Sequence, residues 1–257
     1  MHFTYVTAKT AKGSPNATFE TLNNIISGTI KSVTAHGADV GGKIRIDSSI
    51  GLNDFYSDRS GVDELVSAKR NEGGFVHTAT TIAEDEKTRN TFECDMVITG
   101  VRHVEADEDR NLPDKTIVKG YVFDFRNAVL PVEFSAVAPG AMNYFESLEP
   151  TPNRPVFTKV WGRQISEVVV RKIVEESAFG EDSVREVNSS RKDWVITGAS
   201  KEPYAWNDEE TITADELKNA EAERETYLAT IKQRRDEYRA SQAGASTPAA
   251  ASGGFNF

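Results

Sequence analysis

The stretch "FTKVWGRQ", residues 157–164, interleaves aromatic and cationic side chains with small or apolar ones. In an extended strand successive side chains point to opposite faces, so Phe157, Lys159, Trp161 and Arg163 share one face and Thr158, Val160 and Gly162 share the other. Flat rings accept unpaired bases and cations follow phosphates. The first face therefore has the chemistry of a surface that binds single-stranded nucleic acid, where each stacked base is worth roughly 1–3 kcal/mol. The competing arrangement buries Phe157 and Trp161 and lets the lysine and arginine stems run along the rim of a core. Other stretches repeat the pattern in part. "KIRID" (43–47) projects Lys43 and Arg45 from the face opposite Ile44 and Ile46, and "GGFVHTAT" puts Phe75 and His77 at positions matching Phe157 and Lys159. In "GYVFDFR" the triplet Tyr121, Phe123 and Phe125 suits a core and leaves Arg126 outside. Arg191 and Lys192 precede Trp194, which either stacks on a base or closes the fold while the two cations reach phosphate.

Catalytic chemistry is harder to assemble. The carboxylates of "EDE" (84–86) and "EADED" (105–109) would have to converge on two metal ions about 3.5–4 Å apart to cut a phosphodiester, and consecutive acids on a loop rarely converge. A single cysteine, Cys94, excludes an internal disulfide and a Cys-rich zinc module, and the four histidines show no metal-binding spacing. Neither a Walker-type loop nor a GxSxG or Ser/His/Asp arrangement is visible. The expectation is a protein that is not an enzyme, with no cofactor and no metal.

These residues need strands to hold them. With 257 residues, 38% hydrophobic and 27% charged, the chain can bury a core. It contains no apolar run long enough to span a membrane and no recognisable leader, which leads to the expectation of a cytoplasmic protein without a membrane partner. The net charge of −10 argues against nucleic acid only until its distribution is read. Residues 81–150 carry 7 basic against 14 acidic residues, whereas 151–200, which hold the ladder, carry 8 against 7. Acid elsewhere limits non-specific adhesion without occupying a binding face.

A set of features recurs in order. "IISGTIKSV" (25–33) resembles "TIVKGYVFDF" (116–125), and the strands "KIRID" and "LPVEFSAV" (130–137) follow. The helical patterns "GVDELVSAK" (61–69) and "GAMNYFESLE" (140–149) come next, then "FVHTATTI" (75–82) and "FTKVWGRQIS" (157–166), and last "DMVITGV" (95–101) and "DWVITGA" (193–199). Five short strands with a helix between the third and fourth is the order of an OB-fold, a small barrel that binds oligonucleotides. The expected fold is mainly β: two tandem OB-fold-like barrels, then a helix and a flexible tail. An antiparallel sandwich and a single large barrel are the rivals. The boundaries are an N-terminal arm (1–23), a first OB-like domain (24–105), an acidic linker (106–115), a second OB-like domain (116–200), an acidic segment with a helix (201–242) and a tail (243–257). Thr213 and Glu216 stand at capping-box spacing at the start of that helix.

The order of elements, "FTKVWGRQIS" with its downstream "KDWVITGASKEPY", and an acidic helical region before a Pro/Ala/Ser/Gly tail ending in phenylalanine together resemble the single-stranded-DNA-binding proteins encoded by bacteriophages. The likeness spans most of residues 24–257. It implies single-stranded DNA as partner, protection of replication or recombination intermediates in the cytoplasm of a bacterial host, and contact with replication or recombination proteins through the helix or the tail. Phe255 and Phe257 are the expected partner-binding residues, although the tip "ASGGFNF" lacks the acids that precede the terminal phenylalanine in cellular single-stranded-DNA-binding proteins. The reading from another class is a virion or tail structural protein that does not bind nucleic acid.

Overall fold

The computed structural model describes residues 6–37, 40–59, 61–107, 112–124, 126–175, 179, 183–206 and 212–245. The chain is mainly β and carries a long C-terminal helix. Five strands close one barrel: β3 (Thr91–Val104), β4 (Lys115–Phe123), β5 (Val129–Ala136), β6 (Val156–Glu175) and β7 (Ser183–Ala199), in the order β3-β4-β5-β7-β6. β6 pairs back onto β3 along Thr91–Ile98. Alternation drives the closure, because Met96, Ile98, Val118, Val122, Phe134, Val160 and Ile196 point into one shared core. Helix α3 (Pro139–Ser147) stands between β5 and β6, with proline in its first turn, where a missing N–H costs nothing, and inserts Phe145 into the core.

The barrel's weak seam is β5 against β7, a parallel contact with one register pair, Ser135↔Val195. A polar network reinforces it. Ser135 Oγ donates to Asp193 at 2.9 Å, and Lys115 Nζ pairs with the same carboxylate at 3.1 Å. Lys69 also senses Asp193, and burial pushes its ammonium below the ordinary value against the pull of that charge.

The expected first barrel is a ribbon instead. β1 (Lys43–Ser57) and β2 (Glu64–Ala79) form a two-stranded sheet, and the DMVITGV strand counted with it is β3, the first strand of the barrel. Residues 61–69, expected as a helix, lead into β2 and pair with β1 (Leu65↔Tyr56, Val66↔Phe55). Hairpin pairing with the preceding strand overrides the good helix formers Glu64, Leu65, Ala68 and Lys69. "IISGTIKSV" is likewise no strand: it ends helix α1 (Ala17–Ile26) and opens the short α2 (Val33–His36). Asn16 caps α1 by accepting from Thr18 N, and Gly28, at φ 77°, turns the chain away from it. The expected linker 106–115 falls between the consecutive barrel strands β3 and β4, and Asp107 and Leu112 bridge within it.

A ribbon alone cannot bury an apolar face. This one borrows the barrel's: Leu52 joins the barrel core, Asn71 and Gln164 exchange amide hydrogen bonds at 2.8 Å, and Lys69 Nζ donates to the Glu133 carbonyl. A bulge between Asp47 and Ser49 bends the ribbon. Opposite it, Gly73 and Gly74 take φ of 57° and 106°, and a Cβ on Gly74 would meet the Asp47 carbonyl oxygen. Below the bulge the ribbon rests on α1, where Val76 N donates to Thr18 Oγ1.

Helix α4 (Ala214–Ala245) begins with the expected capping box, Glu216 N donating to Thr213 Oγ1 and Thr213 N to Glu216 Oε2. Those bonds hold the Glu216 carboxyl below its ordinary range. Leu217 and Ala220 pack with Val97, Val129 and Phe157 of the barrel, and farther along Arg224 pairs with the buried Asp54 of the ribbon at 2.9 Å. Arg235 and Arg239 continue onto Asp63 and Asp58. Among the described residues no helix is long and apolar enough to cross a membrane. Phe255 and Phe257 lie outside the described residues.

Candidate functional site

The ladder of β6 divides as alternation requires: Thr158, Val160 and Gly162 are buried inside the barrel and the aromatic–cation set faces outward. That outward face is not uniform. At its start Phe157 is covered, with its ring 5.0 Å from Tyr204 and 5.9 Å from Trp206 and with α4 above. Phe157 is therefore a core residue of a second small cluster, which Tyr121 and Phe123 flank. Phe125 lies outside the described residues.

Trp161 is 40% exposed. Two glycines set its position. Gly162 faces inward, where a Cβ would meet the Val195 carbonyl and Phe92, and a register shift between Trp161 and Gly162 lets β6 pass β7 there. Gly198 lies directly under the indole: a Cβ on it would come 2.3 Å from Trp161 Nε1. The ring is thus laid on bare backbone and remains partly open to water. Across the ladder Glu93 is the register partner of Trp161, Thr91 that of Arg163 and Asp95 that of Lys159. Lys159 Nζ pairs with Glu93 at 2.7 Å, which holds its ammonium above the ordinary value. Among the described residues no carboxylate pairs with Arg163. Lys87 and Thr197 complete a pocket of about 520 Å³ around the indole.

A second patch lies on the ribbon. Register places Arg45 opposite His77 and Phe75 opposite Asp47, so Lys43, Arg45, Phe75 and His77, picked separately from the sequence, share one exposed face. Phe75 stacks on His77 with ring centres 6.3 Å apart. Asp47 partly neutralises the patch, at 2.9 Å from Arg45 and 3.7 Å from His77. A trough lined by Arg45, Arg89 and Arg126 runs past Thr91, Phe92 and Glu93, residues that also line the Trp161 pocket, so it joins that pocket to the Arg45–Asp47 end of the ribbon patch. Its acids include Asp47, Glu93, Asp95, Asp124 and Glu223.

A family model, YorF, matches residues 3–234. The chain belongs to the YorF family. The matched span takes in the ribbon, the barrel and most of α4, so both patches of this YorF protein lie inside it. No curated protein and no solved structure matches the chain.

Several expected site residues fall elsewhere. Trp194 is buried in the barrel, 5.2 Å from the Phe92 ring and stacked on Phe134, so it closes the fold. Lys192 is exposed where β7 leaves the barrel, opposite Ser166, and Arg191 follows the same strand opposite Glu167. Arg126 lies at the β4–β5 turn, where its N–H donates to Asp124. Sequence reasoning missed Gly198 and Lys87. The glycine was in view within the recurring VITG, read there as a repeat, and Lys87 was hidden in an acidic stretch. Cys94 is half-buried, and burial together with Asp95 and Glu93 pushes its thiol from 9.0 up to about 12, far from any nucleophilic state at neutral pH.

Proposed function

We propose that this protein binds single-stranded DNA with little sequence preference, using the trough from the ribbon face to the Trp161 pocket. The observation that carries the reading is the exposed indole seated on Gly198, flanked by Arg163 and Lys87, on the outer face of a five-stranded barrel whose helix falls between its third and fourth strands. That strand order fits a single OB-fold, and in OB-folds such a face binds oligonucleotides. The indole supplies the stacking platform, the cations follow phosphate, and the ribbon's Phe75, His77 and Arg45 extend the path. In this reading the protein coats replication or recombination intermediates of a phage in the bacterial cytoplasm. α4 or the C-terminal tail is then left to meet other replication proteins.

Anisotropy titrations of labelled single-stranded and duplex oligonucleotides at two salt concentrations test it. Single strands should bind in preference to duplex, and affinity should fall steeply with salt because neutralised phosphates release counterions. Trp161→Ala should lower single-strand affinity by roughly 1–3 kcal/mol while the protein stays folded. A preference for duplex, or full binding by the variant, would reject the reading. A second reading, a structural protein of the virion or tail, draws support from the trough's many carboxylates; it predicts no oligonucleotide binding at any salt.

A further inference from the structure

We infer that the Trp161 pocket selects among the bases it stacks, favouring cytosine over thymine through the Glu93 carboxylate. This rests on the proposed single-strand binding and sharpens it at one position. Glu93 is the direct cross-strand partner of Trp161, and such partners hold their Cβ atoms about 4.5–5.5 Å apart. The edge of a base lying on the indole therefore meets this side chain first. An ionised carboxylate only accepts hydrogen bonds. Lys159 engages Glu93 Oε1 at 2.7 Å, and among the described residues no donor reaches Oε2. The free oxygen suits the exocyclic amino group of cytosine, a contact that carboxylates make with this base. Thymine carries a carbonyl oxygen at the same ring position, where two acceptors repel, and its one donor, N3–H, lies between two carbonyl oxygens that oppose an approaching carboxylate.

Of the other lining groups, Lys87 is a donor that a phosphate or the O2 common to cytosine and thymine satisfies. Thr91 and Thr197 are hydroxyls that donate or accept equally well. Arg163 stands one pleat away, opposite Thr91 rather than Glu93, so its fork is placed for the adjacent phosphate. Cytosine and thymine are both small pyrimidines, and oligo(dC) and oligo(dT) make the comparison without a large difference in ring size.

The test is anisotropy with labelled oligo(dC) and oligo(dT) of equal length, at one salt concentration and neutral pH, on the full chain and on Glu93→Gln. Glu93 is solvent-exposed, and far-UV circular dichroism checks that the variant stays folded. The expected result is that the wild-type protein binds oligo(dC) about threefold to tenfold more tightly, the scale of one charge-assisted hydrogen bond at an exposed site. In Glu93→Gln the amide also donates, so oligo(dT) binding should rise and the ratio should approach unity. Equal wild-type affinities, a preference for oligo(dT), or an oligo(dC) preference that survives Glu93→Gln would overturn the inference and leave single-strand binding standing. Failure to bind either oligomer would remove the binding reading and the inference with it.

Discussion

The ribbon and the barrel present similar outer faces, an aromatic ring among cations, but they are held up by different means. The barrel owns its core: Met96, Ile98, Val118 and Phe134 are fully buried and contributed by its own strands. The ribbon is buried by others, with Leu52 lent to the barrel, Val76 set against α1, and Asp54 and Asp63 tied to α4. A stacking platform on the barrel is therefore fixed by the global fold. The platform on the ribbon is only as firm as the docking beneath it.

The largest test of this contrast is Asp193→Ala. It removes the anion facing both Lys115 and Lys69 at the thinnest seam of the barrel, and breaking such a largely buried pair costs roughly 3–5 kcal/mol. Chemical denaturation should show the whole molecule losing that stability in one transition; a change of a few tenths would mean the seam does not hold the barrel.

Arg224→Ala should act on the ribbon alone. It leaves Asp54 buried with Ser67 as its remaining donor, at a cost of about 2–3 kcal/mol. Amide hydrogen exchange should quicken across 50–57 and 64–71 while β3–β5 keep their protection. Uniform quickening would show that ribbon and barrel open as one unit.

The smallest effect, and the only gain, belongs to Thr158→Val. Thr158 Oγ1 is buried in the barrel with no hydrogen-bond partner among the described residues. Replacing the hydroxyl by a methyl should raise the unfolding free energy by about 1 kcal/mol, and a loss would reveal a partner for that oxygen.

The barrel was the more legible half. Alternation in 130–136 and 157–162 marked strands and their inner faces, and the Thr213–Glu216 pair marked the start of α4, but the aromatic triplet of "GYVFDFR" drew the core to the wrong face: Val118 and Val122 enter the barrel, while Tyr121 and Phe123 flank the outer cluster. The ribbon was misread because residues 64–69 are rich in helix formers, and their pairing with residues 52–57 just upstream outweighs that local preference. Alternation also gave the correct face of "FTKVWGRQ" without its fate. Phe157 is covered by Tyr204, Trp206 and α4, and a cover contributed from some fifty residues away is invisible in eight. Trp194 was ambiguous for another reason: Trp194, Val195 and Ile196 are all buried, so no polar residue marks which side faces the core.

The glycine beneath Trp161 has an optical consequence. Of the chain's three tryptophans, Trp194 is enclosed by Phe92 and Phe134, Trp206 is half-buried with its Nε1–H donating to the Pro155 carbonyl, and Trp161 is the most exposed. Emission from the native protein then separates into a shielded blue component and a red component that a small neutral quencher reaches. Anything laid upon Gly198's tryptophan changes only the red one, so the molecule carries its own gauge of occupancy.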